Sequence, residues 1–147
     1  SYENKDGLYD INIQKGVLEI TDPKDNVLTV MPSGSLTNYA IKENVILYSE
    51  VEKNLDLEYR INSNTVSQNI YINGELDKDT YSFEVYKDDY NVSKNDAGSI
   101  VFKKDKKEVF VLNAPYLVDK DGNRNQEVGY DYKQYQSYIV INNILVK

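Results

Sequence analysis

The sequence predicts an all-β protein, an antiparallel β-sandwich of about nine or ten strands built from successive hairpins. Three observations carry that reading. Apolar residues recur at every second position in several runs, β-branched and aromatic side chains dominate the apolar segments, and no window of eleven or more residues shows an apolar stripe at helical spacing. At 147 residues the chain fits a single domain, 1–147, long enough to bury about 68–70% of the surface that its unfolded form exposes.

The first hairpin is predicted from Val17-Leu-Glu-Ile20 and Val27-Leu-Thr-Val30, which flank Thr21-Asp-Pro-Lys-Asp-Asn26. Pro23 suits the second position of a tight turn because its ring presets φ. Met31-Pro-Ser-Gly-Ser35 reads as a softer boundary that would set residues 1–35 off as an N-terminal hairpin extension. In Leu55-Asp-Leu-Glu-Tyr-Arg-Ile61 the residues Leu55, Leu57, Tyr59 and Ile61 share one face, and Asp56, Glu58 and Arg60 the other. After Asn62-Ser-Asn-Thr65, a run of turn formers, Val66, Ile70 and Ile72 continue on one side, so the two runs form a hairpin.

Tyr81, Phe83 and Val85 alternate with Ser82, Glu84 and Tyr86. Ser99-Ile-Val-Phe102 and Val109-Phe-Val-Leu112 then flank the charged tip Lys103-Lys-Asp-Lys-Lys107, after a turn at Asn95-Asp-Ala-Gly98. The unbroken apolar run Val109 to Leu112 suggests burial on both faces. Pro115 lacks a backbone donor and so ends or bends a strand, and the spacing of Val128, Tyr130 and Tyr132 restarts one. The last run, Tyr138 to Val146, is strand-like and interrupted by Asn142 and Asn143.

Composition removes many function classes. Seventeen basic and 24 acidic residues give a net charge of −7 with no long basic block, which argues against a nucleic-acid partner. There is no histidine and no cysteine, so Ser/His and Cys/His nucleophile pairs, thiolate or imidazole zinc sites, haem attachment and disulfides are excluded, and no cofactor is expected. No apolar run reaches membrane-spanning length, so membrane insertion by a helix is not expected. The first seven residues lack the basic and apolar regions of a signal peptide, and an export signal, if the protein has one, is expected upstream in a longer parent chain.

Three sets of residues are candidates for chemistry. Asp119, Asp121, Asn123, Asn125 and Glu127 alternate around Gly122, and oxygen-rich loops of this kind can hold calcium. The glycine and the glutamate miss the EF-hand positions, and Asp-Gly and Asn are also turn formers for steric reasons, so the loop reads as a sheet corner with calcium as the alternative. The carboxylate pairs Asp77 with Asp79 and Asp88 with Asp89 have the residue types of glycoside cleavage, but they sit among polar, turn-like neighbours and read as solvated loops. Fourteen tyrosines and no tryptophan offer rings that are apolar on the face and hydrogen-bonding at the tip. Most fall in strands. Tyr130, Tyr132, Tyr135 and Tyr138, separated by polar residues, are the best place for an exposed aromatic surface that stacks on sugars. Asn91-Val-Ser93 fits a glycosylation sequon.

Taken together, Tyr48 to Tyr59, Tyr81 to Val85, Gly98 to Phe102, Glu108 to Gly122 and Glu127 to Tyr130 resemble a β module of secreted, wall-associated bacterial proteins that carry Rhs/YD repeats near DNRLRE-type segments. The resemblance covers roughly residues 44–132, and Ala114-Pro115 with Asp119 and Gly122 is its most specific part. Gln68-Asn69 departs from it, since the family tends to have a Lys-Glu pair there. The resemblance implies a non-catalytic module of a large secreted or cell-wall-associated protein of a low-GC Gram-positive bacterium. Such a module serves wall association, cell contact or toxin presentation, and its partners are neighbouring domains of the same chain. The alternative is an adhesin-like module that binds a glycan or a surface protein. An enzyme would have to work with Asp, Glu, Tyr, Lys or Ser alone.

Overall fold

The computed structural model describes residues 2–4, 9–87, 89–125 and 129–145, and these form sixteen strands and no helix. In chain order they are β1 (Tyr2–Asn4), β2 (Asp10–Gln14), β3 (Val17–Thr21), β4 (Val27–Pro32), β5 (Tyr39–Lys42), β6 (Val45–Glu52), β7 (Leu55–Asn62) and β8 (Thr65–Ile72). The second half holds β9 (Thr80–Tyr86), β10 (Asn91–Lys94), β11 (Ile100–Lys104), β12 (Lys107–Leu112), β13 (Tyr116–Val118), β14 (Arg124–Asn125), β15 (Tyr130–Gln134) and β16 (Tyr138–Ile144). The strands beyond the nine or ten marked in the sequence are mostly short ones at the sheet edges.

Two sheets pack face to face as a sandwich. Sheet A runs β1-β2-β3-β4-β9-β16-β15, and sheet B runs β10-β11-β12-β8-β7-β6-β5 with β13 and β14 attached beside β8. Every pairing is antiparallel except those of β8 with β12 and β13. Alternation decides what enters the core. In β9, Tyr81, Phe83 and Val85 are buried while Glu84 and Tyr86 are exposed, and β7 likewise buries Leu55, Leu57, Tyr59 and Ile61. Val109 and Val111 are only half-buried; Phe110 and Leu112 point inward, and it is the neighbouring β11 that is buried on both faces through Ile100, Val101 and Phe102. Within the predicted boundary Met31 and Pro32 still pair in β4, and residues 33–38 make the crossing from sheet A to sheet B. The hairpin before it is part of the common core, with Leu18, Ile20, Leu28 and Val30 fully buried and β4 paired to β9.

The buried tyrosines act as staples. A file of rings, Tyr39, Tyr48, Tyr59, Phe83 and Tyr130, crosses from sheet B to sheet A with centroids 6.1–6.4 Å apart, mostly edge to face. Such geometry favours aromatic pairs beyond the area they bury. Their hydroxyls, which burial would otherwise leave unpaired, donate to backbone carbonyls in turns and strand ends: Tyr48 to Gly16 at 2.9 Å, Tyr81 to Ser33 at 2.9 Å, Tyr90 to Val27 at 2.7 Å and Tyr130 to Asn113 at 2.9 Å. Gly16 is fixed twice over, because its φ is +82° and a Cβ there would meet Leu36 at 2.3 Å.

Sheet B forks at Asn113-Ala-Pro115. Before the fork β12 pairs with β11 and touches β8; after it β13 continues along β8, one residue out of step, and β14 folds back on β13. Asn113 holds the branch point through its N–H to Val66, its amide to Ser67 and its carbonyl to Tyr130. Pro115, with no N–H to contribute, is buried in the gap between the two strands. On the side where edge strands β10 and β15 meet, Lys94 Nζ donates to the Tyr130 carbonyl and Gln134 to the Val92 carbonyl. These bonds occupy edge groups that would otherwise invite another strand.

Candidate ligand-binding face

The loop carrying Asp119 occurs three times. In Asp22–Asn26, Asn95–Ser99 and Asp119–Asn123 the first N–H donates to the fifth carbonyl, and the fourth N–H donates to the first carbonyl. The first side chain then accepts the N–H of the third residue and of the fifth, all at 2.9–3.0 Å. The fourth residue takes positive φ: Asp25 at 65°, Gly98 at 85° and Gly122 at 83°. This is a type I turn followed by a left-handed residue, a common three-residue hairpin connection. Pro23 occupies the second position expected for it.

In the third copy both carboxylate oxygens of Asp119 are engaged, Oδ1 by the Asp121 and Asn123 N–H groups and Oδ2 by the Asn123 amide. The Asn123 donors, backbone first, hold its pKa below the ordinary carboxylate value. Asp121 and Asn123 are exposed, Asn125 pairs in β14 with Leu117, and Glu127 lies outside the described residues. No three carboxylates converge as a metal site would require, among the described residues.

The carboxylate pairs are also loop residues. Asp77 and Asp79 are exposed, with Asp77 3.8 Å from Lys53 Nζ. Asp89 is exposed and Asp88 lies outside the described residues. Asn91 and Ser93 of the sequon are exposed on edge strand β10.

The four candidate tyrosines divide. Tyr130 is 2% exposed and belongs to the core file, and Tyr132 is half-buried against the core. They share the inward face of β15, opposite Asn143 and Ile141 of β16. Tyr135 and Tyr138 stand on the outer face, where their rings stack at 4.8 Å and 14° and Lys133 Nζ lies 5.4 Å from the Tyr135 centroid.

Their neighbour is Tyr86, 47% exposed. Register places Thr29 opposite Tyr86 and Tyr86 opposite Tyr138, while the Tyr135 N–H bonds the Tyr138 carbonyl at 2.8 Å. One cross-strand row of Thr29, Tyr86, Tyr138 and Tyr135 therefore lies on the solvent side of sheet A. Beside it opens a groove of about 550 Å³ lined by Val27, Thr29, Tyr86, Gln136 and Ser137. That volume lies within the range of small-molecule clefts, roughly 300–1,000 Å³. Among the described residues none of the five that line it is charged, in a chain where 28% of residues are.

Alternation along Tyr81 to Tyr86 puts Tyr86 on the polar side of its strand, and that alternation is the sequence signal for its exposure. Gln136 and Ser137 carry no comparable signal, because only the pairing of β16 with β9 brings their turn beside Tyr86. No family model, curated protein or solved structure matches the chain.

Proposed function

We propose that the chain is a non-catalytic interaction module, of the adhesin kind, that binds a neutral carbohydrate on the outer face of sheet A. One observation carries the reading: Tyr86 presents an exposed ring in a groove whose other walls, among the described residues, are a valine, two hydroxyls and an amide. An aromatic face matches the apolar C–H side of a sugar, and hydroxyl and amide groups match its rim. The absence of charge from the lining among the described residues, in an acidic chain, favours an uncharged ligand, since neither ion pairing nor charge desolvation is then involved. The resemblance to modules of Rhs/YD-repeat proteins supports a setting on a secreted or wall-associated protein, where such a face meets wall or host glycans.

The test is thermal unfolding of the protein with a panel of neutral wall and host oligosaccharides, beside Tyr86→Ala. A true ligand at a hundredfold excess over its dissociation constant raises stability by about 2.7 kcal/mol, and Tyr86→Ala removes that gain without lowering the unliganded melting temperature. If every sugar leaves the melting temperature unchanged, or Tyr86→Ala keeps the gain, the proposal fails.

A further inference from the structure

Lys103, Lys104, Lys106 and Lys107 put four of the fifteen lysines on one hairpin tip, in a chain whose net charge is −7. Two features make the tip costly. Register sets Lys104 directly opposite Lys107, and like charges so placed repel. The turn between them, Asp105-Lys106, holds both residues at positive φ, 51° and 67°, a two-residue connection that favours Asn-Gly because the left-handed region crowds a Cβ. Among the described residues no other two adjacent non-glycines share positive φ. Backbone held in such sparse regions clusters at functional sites.

The tip borders a cleft of about 460 Å³ at the end of the sandwich, where turns from both sheets meet. That volume again lies in the small-molecule range. Lys104 and Lys107 line it from sheet B, Lys24 lines it from the β3–β4 turn of sheet A, and Tyr9, Pro23 and Val109 supply apolar surface. The Tyr9 hydroxyl hydrogen-bonds Ser63 in the β7–β8 turn, which ties the two sides together.

Three acids also line the cleft, Asp22, Asp105 and Glu108. Asp22 is engaged by its own turn, where Oδ1 accepts the Lys24 and Asn26 N–H groups and Oδ2 the Asn26 amide. Glu108 stands opposite Lys103 across the hairpin. Asp105 is left to three lysines, and none of the three has a carboxylate within ion-pair distance among the described residues. Both arginines stand elsewhere, Arg60 on β7 and Arg124 on β14. An ammonium is a point charge suited to phosphate, whereas a carboxylate is best matched by the planar fork of arginine.

We propose that this cleft is a second binding site, for the phosphate ester of a small molecule. Lys24, Lys104 and Lys107 hold the phosphate, and Tyr9, Pro23 and Val109 pack against the body that carries it. A bound phosphate replaces the repulsion between Lys104 and Lys107 with attraction to a shared anion. The site is independent of the groove on sheet A.

The probe is glucose 6-phosphate, with glucose as the uncharged control, glucuronate as the carboxylate and inorganic phosphate as the bare anion, followed through backbone amide signals in NMR spectra of the whole protein. Glucose 6-phosphate is expected to shift the signals of Lys24, Lys104, Lys107 and Val109 saturably, and less as salt is added. Glucose leaves them still. Lys104→Gln and Lys107→Gln each relieve the like-charge pair, so the melting temperature is expected to hold or rise while affinity falls about tenfold. Tyr86→Ala leaves binding unchanged. Signals that stay still in glucose 6-phosphate overturn the proposal. So does an equal response to glucose, binding of glucuronate or inorganic phosphate as tight as that of the ester, or full affinity in both lysine variants.

Discussion

Tyr81 and Tyr86 stand in the same strand, five residues apart, and have opposite fates: the first has no exposed surface and the second is 47% exposed. An odd spacing in a strand places two side chains on opposite faces. Tyr130 and Tyr132 likewise face the core, while Tyr135, an odd number of residues further on, stacks outside with Tyr138, whose face is set by the next strand. One residue type therefore builds both the interior and the candidate binding face. Inside, the ring fills volume and the hydroxyl finds a protein partner, a turn carbonyl for Tyr48 and the Gln68 amide for Tyr59; outside, the ring is an unused surface.

The largest test of this division is deletion of one ring from each side. Phe83, between Tyr59 and Tyr130 in the core file, is expected to cost about 3–5 kcal/mol on replacement by alanine. Tyr86→Ala is expected to stay within about 0.5 kcal/mol of the parent. Denaturant titration measures both, and comparable losses would erase the distinction between core and surface tyrosines.

High pH probes the inner set as a group. Burial is the leading cause that raises the pKa of Tyr48, Tyr59, Tyr81 and Tyr130. The neutral phenol is the form the fold holds, so its stabilisation is complete below the ordinary tyrosine value of about 10 and is lost as pH climbs through the raised values. Tyrosinate absorbance from these rings should appear together with loss of the far-ultraviolet β signal. Full ionisation of all fourteen tyrosines with the sheets intact would contradict their burial.

The smallest effect concerns the repeated loop. Asp22→Ala and Asp119→Ala each remove two side-chain-to-backbone bonds of the same geometry. Each should lower the melting temperature slightly and by a similar amount, with calcium and chelator changing neither. For Asp119 the contribution is present above the ordinary carboxylate value of about 4 and fades as acid protonates it through its lowered pKa. A calcium-dependent rise that Asp121→Ala abolishes would make the third loop a metal site after all.

The strands were legible where period two was clean. Leu55 to Ile61 and Tyr81 to Tyr86 carry their burial pattern in the sequence, and Asp22-Pro-Lys-Asp carries its turn. Tyr130 and Tyr132 alternate with Asp131 and Lys133, yet the polar intervals drew attention to exposure where the same parity meant burial against β16. The groove and the lysine-lined cleft were not legible. Each depends on residues brought together from distant segments, such as Tyr86 with Tyr138 and Pro23 with Val109. No local pattern encodes which strand becomes a neighbour.

The fork in sheet B also bears on how fast the chain can reach this structure. The three five-residue loops close contacts between adjacent segments, and such hairpins form within about 1–10 μs in isolation. The parallel match of Ile70 with Leu117 has no such shortcut, because all of β9 to β12 lies between the two residues. Chains ruled by distant pairings fold in milliseconds to seconds. During that interval β8 exposes one unfilled side, and its proper occupant competes with the β8 edge of any other molecule nearby.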